Sequence, residues 1–247
     1  MKVIGIIPAR YDSTRFPGKP LVDIAGISMI QRVYNQVKHA ASLSEVVVAT
    51  DDQRIFDHVK SFAGNVVMTK KDHQSGTDRC AEVISNISGF DIAVNIQGDE
   101  PFIDPQQIDL LVSCFQNPEV QIATLVRPIT EIEDLENINK PKVVLNLNQE
   151  ALYFSRQPIP FLRGKNIQDW LKNETYYNHI GIYGFKVDTL KKIASLPISK
   201  LETAESLEQL RWLDNGYKIK TAISNHINDA IDTPEDLKAI LKKYFNQ

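Results

Sequence analysis

Short apolar runs and helical repeats alternate through the first half of the chain. Residues 3–7, 46–49, 66–68 and 92–96 are brief, nearly continuous apolar stretches, the pattern of strands buried on both faces. Between them Ile30, Val33 and Val37 recur at helical spacing, as do Cys80, Val83, Ile84 and Ile87. The alternation predicts strand–helix units that build a parallel sheet with helices over its faces.

The second half is less regular. Pro105 opens a helical pattern in which Ile108, Leu111, Val112 and Phe115 share a face, and residues 122–126, 143–147 and 179–185 read as strands. Residues 154–177, rich in Pro, aromatic and polar side chains, have no clean period and predict a long excursion from the sheet of the kind that carries binding or dimer contacts. A helix is predicted over 202–215, ended by Gly216. At the C-terminus Thr233 can cap, Pro234 suits the first helical position, and Leu237, Ile240, Leu241, Tyr244 and Phe245 form the apolar stripe. No internal repeat, low-complexity run or linker interrupts the 247 residues, so one domain with a protruding subdomain is predicted.

Composition narrows the class. A hydrophobic content of 43% can fill a sizeable core, and 28 basic against 31 acidic residues leave a net charge of −3. That balance offers no general attraction to nucleic acid or anionic membrane, and no basic stripe with interleaved aromatics is present. A polyanionic ligand must therefore be held by local clusters. The N-terminal apolar run is ended by Pro8, Arg10 and Asp12 before it reaches signal or membrane-spanning length, and reads as a buried first strand. Cys80 and Cys114, each in an apolar helical pattern and neither in a CxxC pair, suit a reducing compartment and buried thiols.

Three segments carry candidate chemistry. Residues 8–20, PARYDSTRFPGKP, leave the first strand at its carboxyl end, the side on which open parallel sheets bind ligands. Arg10, Arg15 and Lys19, with the hydroxyls of Ser13 and Thr14, can surround a polyphosphate; neither GxxxxGK[ST] nor GxGxxG is present. In Asn95-Ile96-Gln97-Gly98-Asp99-Glu100-Pro101, Gly98 permits a tight turn and the following carboxylates suit a hard cation such as Mg²⁺. The third segment places Asp232 just before the C-terminal helix. If Asp99 and Asp232 meet, they can share one metal; otherwise the three segments are a solvated basic loop, an ordinary turn and a helix start.

Taken together, PARYDSTRFPGKPL from Pro8, DHQSGTDR from Asp72, NIQGDEP from Asn95, ALYFSRQPIP from Ala151, HIGIYGF from His179, LEQLR from Leu207 and DTPEDL from Asp232 strongly resemble the 3-deoxy-manno-octulosonate (KDO) cytidylyltransferase family, in its order and over nearly the whole chain. The resemblance implies a single Rossmann-like α/β nucleotidyltransferase domain over 1–247 with a mostly parallel central sheet, residues 151–190 contributing a protruding dimerisation and sugar-binding subdomain. It implies a cytoplasmic homodimer that uses CTP and Mg²⁺ to activate KDO, an acidic 3-deoxy sugar, for lipopolysaccharide assembly.

Carried onto this sequence, Arg10, Ser13 and Lys19 meet the CTP phosphates with Arg15 assisting, and His73, Gln74, Ser75, Gly76 and Thr77 border cytosine and ribose. Asp99 and Asp232 are the implied metal ligands. Gln97, Arg156, His179, Tyr183, Glu208 and Gln209 are the implied sugar-binding residues. Arg156, a planar donor, suits the carboxylate beside the anomeric centre of KDO. The chain departs from the family at Asn178, where a basic residue is expected, at Phe185, often Tyr, and across 202–206, where small residues stand for a bulkier set. These changes leave open an acceptor altered at its terminal carbon, such as 8-amino-KDO. A nucleotide-binding regulatory module without turnover is the rival from another class.

Overall fold

The structure, a computed structural model, describes residues 1–12, 16–226 and 229–245. The N-terminal apolar run forms the strand Val3–Ala9, in which Ile4, Ile6 and Ile7 are fully buried. Each such side chain contributes about 1.5–3 kcal/mol through burial. The strand pairs in parallel with Glu45–Thr50 on one side and Ile92–Asn95 on the other, and Val66–Met68 extends the row beyond Glu45–Thr50. These all-parallel pairings match the continuous apolar runs, and the architecture is mixed α/β.

Two compact units are distinguishable. The first contains residues 1–109, 186–194 and 227–247; the second contains 110–185 and 195–226. In the first unit the helices begin where their caps stand. Ser28 accepts from the Gln31 amide ahead of Met29–Val37, Asp52 caps Gln53–Ser61, and Ser75 with Asp78 forms a reciprocal capping box on Gly76–Asn86. Thr233 and Asp236 exchange the same pair of bonds at Pro234–Phe245. The C-terminal helix packs Ile240, Leu237, Leu241 and Phe245 on Ile24, Met29 and Ile231, which fixes the approach to Asp232.

In the second unit Ile122–Pro128 lies between the parallel strand Ile219–Ile223 and the antiparallel strand Tyr177–Lys186, whose register shifts between Ile180 and Tyr183. Lys142–Leu145 and Ala151–Ser155 continue the antiparallel side. The irregular stretch after residue 154 builds a small core of its own, in which Trp170 and Tyr176 pack with Ile129 and Leu135.

The helix predicted over 202–215 is instead two, Lys200–Glu205 and Gln209–Asp214. Ser206 adopts φ 51°, a left-handed conformation that closes the first helix with its amide on the Glu202 carbonyl. The Glu205 carboxylate accepts from the Ser155 hydroxyl at 2.7 Å and the Arg156 amide at 2.9 Å, so tertiary contacts hold the break. Cys80 is buried as predicted, whereas Cys114 stays partly exposed; both are free thiols. Among the described residues no helix is long and apolar enough to cross a membrane.

Candidate active site

The sheet of the first unit ends in two loops that lie close together. Ile96 donates its amide to the Ile6 carbonyl at 2.9 Å, and Gly98 follows where a Cβ would come within 2.8 Å of the Pro8 carbonyl oxygen. Only glycine lets the chain pass there. Asp99 comes next, and its carbonyl accepts from the Ile231 amide at 2.9 Å. That bond, with Ile231 in the apolar cluster beneath, brings Asp232 alongside Asp99.

Both carboxylates meet on Lys19. Its Nζ lies 2.7 Å from Asp99 Oδ2 and 3.0 Å from Asp232 Oδ1, and its side chain is only 14% exposed. Burial pulls the Lys19 ammonium down, but Asp99 and Asp232 outweigh it and hold the group above its ordinary range. Lys19 is placed by Gly18, which takes φ 73° and donates its amide to the Tyr11 carbonyl at 2.9 Å, closing the loop. Ser13, Thr14 and Arg15, assigned to the same loop from sequence, lie outside the described residues.

Arg10 donates from Nη2 to the His73 carbonyl, tying the phosphate-loop candidate to the residue 73–77 segment. Burial, and then the nearby Arg79, lower the Arg10 guanidinium from its usual range. His73 Nε2 bonds the Glu82 carboxylate, which also accepts from the Lys70 amide at 2.9 Å. Ser75 is spent on its capping box, so Gly76 and Thr77 form the first turn of that helix, Thr77 buried. Gln97 lies between the buried Ile96 and Gly98, partly exposed.

The second unit gathers the other candidates. The Thr124 hydroxyl donates to the Ile182 carbonyl at 2.8 Å, so at 3.0 Å it accepts from His179 Nε2. This bond assigns the proton to Nε2 and leaves Nδ1 as an acceptor. The His179 ring lies against Phe154 and Tyr183, with centroids 5.2 and 5.1 Å away, and desolvation lowers the imidazole to about 3. Burial, seconded by Glu208, raises the Tyr183 phenol well above its usual range. Trp212 stands edge-on to Tyr183 and Phe185. Gln209 Nε2 and Trp212 Nε1 are buried without a hydrogen-bond partner among the described residues, polar capacity that a hydrogen-bonding guest would satisfy.

Arg156 is already engaged. It donates to the carbonyls of Glu205 at 2.6 Å, Ile138 at 3.0 Å and Ser206 at 3.2 Å, leaving one hydrogen on each terminal nitrogen. Asn178 is buried with neither amide atom partnered among the described residues, opposite Lys142 in the strand pairing. A groove of about 820 Å³ in this unit, with Glu150, Asn215, Lys218 and Lys220 on its walls, contains none of the candidate residues.

Sequence reading missed Glu82, Thr124, Glu205 and Trp212. Glu82 lies two turns into the helix that Ser75 caps and Trp212 one turn beyond Gln209, both in reach of a local signal; Thr124 and Glu205 meet His179 and Arg156 only through contacts distant in sequence.

The chain matches the cytidylyltransferase family over residues 4–219. The class is therefore that of enzymes that transfer cytidylyl groups. Within it, a 3-deoxy-manno-octulosonate cytidylyltransferase of Bacteroides thetaiotaomicron is 60% identical over 242 residues, 96% of each chain. One of Thermodesulfovibrio yellowstonii is 48% identical over 98% of each. A solved CMP:2-keto-3-deoxy-manno-octonic acid synthetase complexed with CTP shares 42% identity over 97% of both chains, with a TM-score of 0.91. This chain belongs to the 3-deoxy-manno-octulosonate cytidylyltransferase family. A 4-diphosphocytidyl-2C-methyl-D-erythritol synthase of Anaerococcus prevotii, 12% identical with a TM-score of 0.64, shares the fold alone.

Proposed function

We propose that this chain transfers CMP from CTP to the anomeric hydroxyl of KDO and releases pyrophosphate. The observation that carries the reading is the meeting of Asp99 and Asp232 on one ammonium, beside the loop that family likeness assigns to the phosphates. Members of the class generally use a divalent metal, and the donor set fits Mg²⁺. Two hard carboxylates supply part of an octahedral shell, and among the described residues no group of three His, Cys, Asp or Glu forms a closed site. Phosphate and water oxygens complete such a shell.

When bound, Mg²⁺ polarises the α-phosphate and lowers the pKa of the attacking hydroxyl. The anomeric hydroxyl oxygen attacks the α-phosphorus in line, its proton passes to solvent, the new O–P bond forms, and the bond to pyrophosphate breaks. Asp99 and Asp232 would hold the metal; Arg10 and Lys19, with Ser13 and Arg15, would meet the triphosphate, which carries about four negative charges. Residues 73–77 border cytosine and ribose. For the acceptor, Arg156 has its two remaining hydrogens to offer a carboxylate. His179 Nδ1, Glu208 and Gln209 suit hydroxyls, since together they donate and accept, and Tyr183 joins them. No side chain need serve as covalent nucleophile.

The 60% identity to a relative named for KDO supports that acceptor over others. We place the enzyme in the cytoplasm as a homodimer; Leu152, exposed on the outer strand Ala151–Ser155, with exposed Ile138 and Phe161, supplies apolar surface for a second copy. Pyrophosphate release with CTP and Mg²⁺ should be fastest with KDO, slower with 8-amino-KDO and absent with sialic acid. No release with any sugar would leave the non-catalytic module as the better reading.

A further inference from the structure

We propose that Lys19 is the resident counter-cation of the Asp99–Asp232 pair in the nucleotide-free chain, and that it yields these carboxylates to the divalent metal only when a nucleoside triphosphate offers its ammonium another partner. Metal and nucleotide are then taken up together. The proposal rests on the reading of Asp99 and Asp232 as metal ligands.

One nitrogen 2.7 Å from Asp99 Oδ2 and 3.0 Å from Asp232 Oδ1 sits where a cation shared by both carboxylates must sit. A dication bonded to the same two oxygens at about 2.0–2.1 Å and an ammonium in this position exclude each other, by volume and by charge. The chain alone is also a poor competitor for metal. Its two carboxylates leave most of the octahedral shell to water or phosphate, and among the described residues no third His, Cys, Asp or Glu completes a group with them.

Lys19 is built for the exchange. Its backbone is fixed in the short turn Lys19–Leu21, started by Gly18 in the left-handed conformation. Its four-carbon stem lets the ammonium travel without moving that backbone. An arginine in its place would fork rigidly onto the carboxylates and release them less readily. A triphosphate entering the loop provides anionic oxygens for the displaced ammonium and oxygen ligands for the metal at once. Each arrival lowers the cost of the other, a reciprocal coupling between metal and nucleotide.

The test is titration of Mn²⁺ into nucleotide-free protein, read by electron paramagnetic resonance of the free ion, for wild type, Lys19→Met, Lys19→Gln and Asp99→Asn, each checked for folding by circular dichroism. The proposal predicts weak Mn²⁺ binding by wild type and binding at least about tenfold tighter in the Lys19 variants, because a competing unit charge is gone. It also predicts that CTP tightens Mn²⁺ binding far more in wild type than in Lys19→Met. Equal nucleotide-free affinity in wild type and both folded Lys19 variants overturns the exchange. The metal reading itself fails separately if Asp99→Asn leaves Mn²⁺ affinity unchanged both with and without CTP.

Discussion

The two units solve opposite electrostatic problems. In the first, three charged groups meet in a part-exposed cluster and compensate one another: Lys19 against Asp99 and Asp232. In the second, two ionisable side chains, the part-exposed His179 and the buried Tyr183, are held neutral. His179 is driven down to about 3 and the Tyr183 phenol is pushed up, both by desolvation first. The difference matches the chemistry assigned to each. A metal triphosphate needs fixed charge of both signs, whereas sugar hydroxyls need donors and acceptors whose protonation does not wander near neutral pH. It also accounts for the charged groups standing on loops that leave strand ends in one unit and for His179 and Tyr183 standing within a strand in the other. Charge must reach solvent-borne ions, while neutral hydrogen-bonding groups gain strength from exclusion of water.

The contrast breaks most sharply at Asp99. Asp99→Asn keeps the shape of the loop but removes one of two carboxylates, and turnover should fall about a thousandfold or more with little change in Tm. Steady-state pyrophosphate release beside a thermal melt checks both halves; near-normal turnover with Mg²⁺ would remove Asp99 from the chemistry. The expected effect in the second unit is smaller and appears in pH. Unfolded chains protonate histidine near 6.5, while folded His179 resists protonation down to about 3, so acid favours the unfolded state across that window. Stability attributable to a neutral His179 is therefore complete above pH 6.5 and declines as pH falls toward 3. His179→Gln, which keeps a hydrogen bond to Thr124 within reach, should show a flatter Tm profile between pH 7 and 4. Parallel profiles for the two proteins would mean that His179 is not held neutral by the fold.

How legible these regions were differs for the same physical reasons. The first unit's strands announce themselves as short apolar runs, and its helix starts carry local caps, such as Thr233 with Asp236 and Ser75 with Asp78. Asp99 and Asp232 stood out because each follows a strand end or precedes a helix, although only the Ile231–Asp99 bond and the apolar packing beneath reveal that they meet. In the second unit, the bond from His179 to Thr124 joins residues 55 apart, and nothing local signals it. The break at Ser206 was illegible too. Leu207, Leu210 and Leu213 recur at helical spacing and nothing in 202–206 stops the helix locally, whereas the left-handed turn is held by Glu205 reaching Ser155 and Arg156. Periodicity records which face is buried, not where a contact with residues distant in sequence interrupts the helix.

The central claim is that Asp99 and Asp232 share one divalent ion with the nucleotide. Crystals grown with Mn²⁺ and a non-hydrolysable CTP analogue, measured at a wavelength where manganese scatters anomalously, test it directly. The account predicts an anomalous peak at bonding distance from a carboxylate oxygen of each aspartate, with the Lys19 ammonium moved onto a phosphate. A peak bound by phosphates alone, with Lys19 still between the two aspartates, would contradict it.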